Sequence, residues 1–233
     1  MKLLKISFFA FLFLAFSTTN FAQKKISNGH VTYEITDIKS EMAELAMLKG
    51  TEMELYFNDG NQKMAIALMG GLMRIQTILN NNAKNQNTVL MDMMGKKIQL
   101  AGLDEEAMKQ NPMMSLGNAG ENLEYKINKK DKKKIAGYKC RKATAKLPQG
   151  MEMNVYVTKK IQPKNSLMQK ALGGLEGFPL EFTIDTGAGV AVTFAAQEVE
   201  GNFDAATFNI PDGYKKMTLE EFQKEMGGMN LGF

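Results

Sequence analysis

Few side chains in this 233-residue chain could do bond-making chemistry: there is one cysteine, one histidine and no tryptophan. Cys140 lies in KKIAGYKCRKATAKL, residues 133 to 147, among alternating basic and apolar residues. A nucleophilic thiolate usually takes a histidine as its base. The only one, His30, stands more than a hundred residues away, with no local signature joining the two. One cysteine cannot close an internal disulfide, and one Cys with one His cannot fill a tetrahedral zinc site unless carboxylates supply the rest. On a strand, Tyr138, Cys140 and Lys142 share one face and Lys139, Arg141 and Ala143 the other. Cys140 therefore reads first as a half-buried strand residue, with an intermolecular disulfide, catalysis and metal binding as alternatives. Serine chemistry lacks its elbow: G-x-S-x-G is absent, and Ser27, Ser40, Ser115 and Ser166 have no local partner histidine. The carboxylate runs Asp104-Glu105-Glu106 and Glu220-Glu221 sit in first turns of helices, where the helix dipole stabilises negative charge without any chemistry. The expectation is a protein that is not an enzyme, with no catalytic residues, cofactor or resident metal.

Methionine is the unusual component. Of 19 in the chain, twelve fall between Met42 and Met114, enough to mark that region as adaptable apolar surface. Strands lined by methionine and leucine suit acyl chains or a lipidated peptide. Met53, Met64, Met69, Met73, Met91 and Met93 are the candidate ligand-binding residues. The plain alternative is that these side chains fill an ordinary core. A third reading is thioether ligation of Cu(I) by Met91, Met93, Met94 and Met113-Met114, with Cys140 and His30 as additions. Against it, strand alternation sends Met93 and Met94 to opposite faces.

The elements that must carry these residues are mostly strands. GHVTYEITDI, residues 29 to 38, alternates Val31, Tyr33 and Ile35 with polar neighbours, the period of a half-buried strand. KSEMAELAMLKG then reads as a short helix capped by Ser40 and stopped by Gly50. MELYF and KMAIALM flank NDGN, a hairpin signal because Asp-Gly and Asn-Gly steps tolerate positive φ. Gly70-Gly71 and the GKK turn continue the run of antiparallel strands through LMRIQTIL, TVLMDM and IQLAG. LDEEAMKQN, 103 to 111, predicts a helix ended by Pro112. Strands return in LEYKI, GYKCRKATAKL, MEMNVYVTKKI, PLEFTID and AVTFAAQEV, the first two joined by a hairpin turning at Lys130-Asp131. SLMQKALGGLEGF reads as a short helix running into a glycine-rich turn, and Thr218 with Glu221 forms the capping box of a last helix. GGLEG is a poor phosphate loop, since it precedes a strand and lacks a following lysine.

The first residues, MKLLKISFFAFLFLAFSTTNFAQKK, place two lysines before an apolar run and small polar residues. That is the layout of a secretory signal peptide over 1–22, cleaved after Ala22, leaving one β-rich domain over 23–233. Without Lys2 and Lys5 the chain keeps 27 basic against 25 acidic side chains, a net charge near +2, which calls for no nucleic-acid partner. The dense basic segment 126–142 offers a contact for an anionic membrane surface or, more simply, a solvated hairpin.

Gly137, Tyr138, Cys140, Lys142 and Ala143, then Thr158, then Gly174, Leu175, Gly177, Leu180 and Glu181 form a spaced series. It resembles exported Bacteroidota proteins of unknown function, including the GLPGLI family. There a GYKC.KA strand is followed by a strand ending in a T..I step and by a glycine-flanked turn into the next strand. Glu176 stands where that motif has proline, and Val155-Tyr156-Val157-Thr158 where it has WYT. The resemblance covers about a quarter of the chain. Such families are similar in outline to periplasmic lipoprotein carriers of the LolA/LolB type. That outline implies a mainly β (α+β) fold, a strongly curved antiparallel open barrel with a few short helices and an apolar cavity. It also implies a periplasmic or outer-membrane-associated protein binding a lipid, acyl chain or lipoprotein. The alternative is a scaffolding envelope protein whose closed sheet docks another protein.

Overall fold

A computed structural model describes residues 25–79, 87–103, 123–147, 152–164, 166–185 and 189–226. Both the 1–22 leader and the helix expected over 103–111 fall outside them, apart from Leu103, which ends a strand.

Period-two alternation dictates the first strands. In β1 (Gly29–Lys39) Val31, Tyr33 and Ile35 are buried while Thr32, Glu34 and Thr36 are not, and β2 (Glu52–Asn58) buries Met53, Leu55 and Phe57 in the same way. The chain continues through β3 (Asn61–Leu68), β4 (Met73–Leu79), β5 (Asn87–Met93), β6 (Lys96–Leu103), β7 (Lys126–Ile135) and β8 (Tyr138–Lys146). β9 (Glu152–Thr158), β10 (Phe178–Asp185), β11 (Ala191–Glu200) and β12 (Lys215–Met217) complete it. All twelve join one sheet in the order β12-β6-β5-β4-β3-β2-β1-β11-β10-β9-β8-β7. Every pairing is antiparallel except the three-residue β12, which lies parallel to β6.

The sheet is open and strongly curved. β7 comes back into contact with β11 although β10, β9 and β8 lie between them in the sheet. Short helices cover its inner face. Helix α1 (Leu167–Ala171), capped by Ser166 accepting from the Gln169 amide, places Met168 and Leu172 in the larger apolar cluster with Tyr33, Leu55, Phe178 and Phe182. Helix α2 (Leu219–Met226) starts with the expected capping box: the Thr218 amide donates to Glu221 at 2.8 Å and the Glu221 amide to the Thr218 hydroxyl at 3.1 Å. It presses Phe222 onto Ile75, Met91 and Leu100 in a second cluster. Among the described residues no helix is long and apolar enough to cross a membrane.

Two local expectations need correction. The hairpin between β7 and β8 turns at Ala136-Gly137, both at positive φ, and not at Lys130-Asp131. The Asn128 carboxamide accepts from the Lys130 and Asp131 amides, so the polar run forms a bulge inside an exposed edge strand. The segment after β1 forms a 3₁₀ helix over Ala43–Leu48 with no buried residue, and Ser40 accepts only from the Met42 amide. Without an apolar face to bury, nothing draws it into a regular α-helix.

The glycine-rich turn after α1 has a steric reason. Gly177 sits at φ +99°, and a Cβ there would lie 3.2 Å from the Thr158 carbonyl oxygen and 3.3 Å from Val157 Cβ; Gly174, at φ +82°, faces open space. Gly177→Ala should cost about 2–3 kcal/mol and Gly174→Ala about 1 kcal/mol in denaturant unfolding. Equal losses would show that the approach of β9 to this turn does not constrain it.

Candidate functional site

Register decides which methionines meet. Residues directly opposite in antiparallel strands share a face with Cβ atoms roughly 5 Å apart. Across β2 to β6 the first inner row runs Met53, Ile66, Ile75, Met91, Ile98. Beside it lie Leu55, Met64, Thr77, Val89, Leu100, and then Leu68, Met73, Met93, Lys96. Five of the six candidate methionines thus occupy one apolar face. The sixth, Met69, stands apart in the β3–β4 turn, 63% exposed at φ +53°.

This face is filled at both ends and less so in the middle. Met53 is fully buried in the larger cluster, while Met91 and Met93 are buried in the cluster beneath α2. Met64, Ile66 and Met73, on the central strands β3 and β4, are only half-buried. Lys96 is the one charged side chain in the three rows. Sequence reasoning passed over Gln62, two residues from Met64 on the same face. It is buried, donates to the Lys164 carbonyl at 3.0 Å and accepts from the Leu167 amide at 2.8 Å, fixing the entry of α1 onto the sheet. No local signal announces that role, because both partners lie over a hundred residues away.

Cys140 occupies β8 opposite Lys133, 1% exposed, with its thiol 3.6 Å from the Tyr138 carbonyl. Burial, then the nearby Glu181 carboxylate, pushes the thiol up to about 12 from its ordinary value near 9. A protonated, covered thiol is neither a nucleophile nor open to another chain's cysteine. Glu181 is held by Lys133 at 2.5 Å, and the same ammonium lies over the Tyr156 ring. Of the other motif residues, Gly137 completes the β7–β8 turn, Tyr138 is half-buried and Leu175 is buried in the larger cluster.

His30 is on the outer face. Its ring stacks on Tyr56 at 4.1 Å between centroids, with Nδ1 3.3 Å from Glu200 and Nε2 3.8 Å from Glu54. Residues 201–214 continue this outer layer: Phe203 packs edge-on against Tyr56, the Lys63 ammonium donates to the Thr207 carbonyl, and the Gln76 amide donates to the Tyr214 hydroxyl. His30 therefore shares no site with Cys140 or with the inner methionines, and Met94 stands out in a turn. The copper set is not assembled among the described residues; Met113 and Met114 lie outside them.

No family model matches the chain, and no curated protein matches it. Several solved structures are similar in outline. An uncharacterised conserved protein from Thermus thermophilus aligns with a TM-score of 0.49 and 9% identity, over 82% of this chain and 90% of that one. A LolA superfamily protein from Nitrosomonas europaea aligns at 0.35 and 10%, over 82% and 92%. A chain of the MucA/MucB complex of Pseudomonas aeruginosa aligns at 0.32 and 10%, over 79% of this chain and 56% of that one. The fold stands on this chain's own strand order and curvature.

The state of Cys140 has a measurable pH signature. The folded thiol titrates above the unfolded one, so its contribution to stability is complete below pH 9 and is lost as pH rises from about 9 to about 12. Cys140→Ala should flatten the decline in stability over that window, after allowance for the buried Tyr33 hydroxyl, which burial also raises. Ellman's reagent should leave the native thiol untouched at pH 8 and titrate one thiol in guanidinium; rapid native reaction would contradict the burial argument.

Proposed function

We propose that this chain is an exported, non-enzymatic cell-envelope protein that holds an apolar ligand, a lipid, an acyl chain or the lipid moiety of a lipoprotein, against its methionine-lined inner face. The observation that carries the reading is the half-buried middle of that face. Met64, Ile66 and Met73 lie between two packed clusters and leave apolar, flexible surface only partly covered. Methionine adapts to chains of different length and branching better than a branched side chain does. Cys140 is covered and protonated and His30 lies on the opposite face, which favours binding over catalysis.

Export rests on the leader-like residues 1–22 with cleavage after Ala22, and places the protein in the periplasm or at the outer membrane. The residues from Gly137 to Glu181 support kinship with exported Bacteroidota proteins of the GLPGLI type. The basic segment 126–142 takes a secondary place. β7 is an edge strand, and lysines with a bulge along an exposed edge keep it from pairing with other chains.

Delipidated protein should bind a fluorescent fatty acid or an acylated peptide in the micromolar range. Met64→Glu with Met73→Glu should weaken binding roughly tenfold to a hundredfold, because the buried acyl chain would then face desolvated carboxylates. Circular dichroism should show the sheet intact. Absence of binding by the unaltered protein would overturn the proposal in favour of a sheet that docks another protein. Native mass spectrometry of protein from its own envelope gives the ligand's mass directly.

A further inference from the structure

Six large apolar side chains stand exposed among the described residues, and five share one rim of the sheet. Met42 and Met47 belong to the β1–β2 connection, Met69 and Leu72 to the β3–β4 turn and Met94 to the β5–β6 turn. Antiparallel pairing brings these three connections to the same side, and the Met94 amide donates to the Leu72 carbonyl at 2.9 Å, tying the two hairpin tips together. Met47 is 79% and Met94 76% exposed, so neither belongs to a core.

The tips are held in an unusual way. Met69 and Met94 both have positive φ, followed by Gly70 and Gly71 in one turn and Gly95 in the other. Asparagine, aspartate or glycine suits such positions, and a long apolar side chain rarely adopts them. A soluble turn gains nothing from methionine there. Directly behind the tips stand the exposed cations Arg74, Lys96 and Lys97, with the half-buried Asp92 between Arg74 and Lys97. Arg74 also reaches Glu54 at 3.2 Å, and Lys97 lies over the Tyr214 ring. The β1–β2 connection brings Glu41 and Glu44 beside its methionines, so the two hairpins form the centre of the patch and that connection its flank.

Joined hairpin tips that carry unbranched or singly branched apolar side chains and are backed by cations match the boundary between acyl chains and anionic headgroups. Protein interfaces favour aromatic side chains together with Met and Arg and are depleted in lysine, whereas the exposed apolar residues of this rim include no aromatic one and stand in front of two lysines. We propose that this rim is a membrane-contact edge that inserts Met69, Leu72 and Met94 into the headgroup region of an anionic bilayer. The apolar row Leu68-Met73-Met93 opens onto the same rim. The contact does not require ligand binding, and either can fail alone.

The chain has no tryptophan, so single reporters are clean. With phosphatidylglycerol-containing vesicles, Met69→Trp and Met94→Trp should shift to the blue and be quenched by brominated lipid. Ile210→Trp, at the exposed apolar position outside these three connections, should do neither. Met69→Asp with Leu72→Asp and Met94→Asp should lower vesicle partitioning roughly a hundredfold or more while the denaturant midpoint holds. The proposal is overturned if the unaltered protein ignores these vesicles, or if the rim reporters stay unshifted on bound protein. It is also overturned if the triple aspartate variant still binds while Lys132→Glu with Lys134→Glu does not, which would assign the contact to β7.

Discussion

The structure depends on one constraint: a twelve-stranded sheet presents a long apolar face, and among the described residues only two short helices cover it. A flat sheet of that width would leave most of this face wet. Rolling lets the sheet cover itself, so that β1, β2 and β8 to β11 enclose α1 and a cluster running from Tyr33 to Phe194. The buried Tyr33 hydroxyl donates to the Pro179 carbonyl at 2.7 Å, so even the polar atom inside this roll has a partner. The other wing, β4 to β6, closes differently, with Phe222 of α2 and Met217 of β12 laid on it. The under-covered middle strands are a consequence of having two separate closures.

Much of this architecture is legible in the sequence, for local reasons. Asp59-Gly60, Gly70-Gly71 and Gly95 mark their turns because backbone conformation at those residues is a property of the residues themselves. The alternation in β1 and β2 and the capping box at Thr218 are equally local. The bulge in β7 is not, because a single Asn128 side chain decides it. Nor is the segment 40–50, whose pattern suits a helix that then finds nothing to pack against.

The candidate site is legible only as composition. Methionines at 53, 64, 73, 91 and 93 meet because of the register of three strand pairs, and a one-residue slip in any of them would send part of the set to the opposite face. The outer layer was hidden for the same reason. Residues 201–214 show neither period-two nor helical alternation, yet Phe203, Thr207 and Tyr214 find partners on β2, β3 and β4. That cover explains why Gln76, a polar residue on the outer side, is buried.

The central place of β1 carries a consequence for how the chain reaches this state. β2 to β6 form a meander of neighbouring hairpins that can zip up from near contacts. β1, in contrast, pairs on its far side with β11, so that His30 lies opposite Glu200. Closing a loop of that length has an entropic cost, and long-range pairing of this kind slows folding. Within the sheet, β1 to β6 meet β7 to β11 at the β1–β11 pairing, and a chain released before β11 has formed would expose an open strand edge at its centre. Folding of this sheet is therefore governed by its last long strand, and the interval before β11 docks is when the chain is most prone to pair with its neighbours.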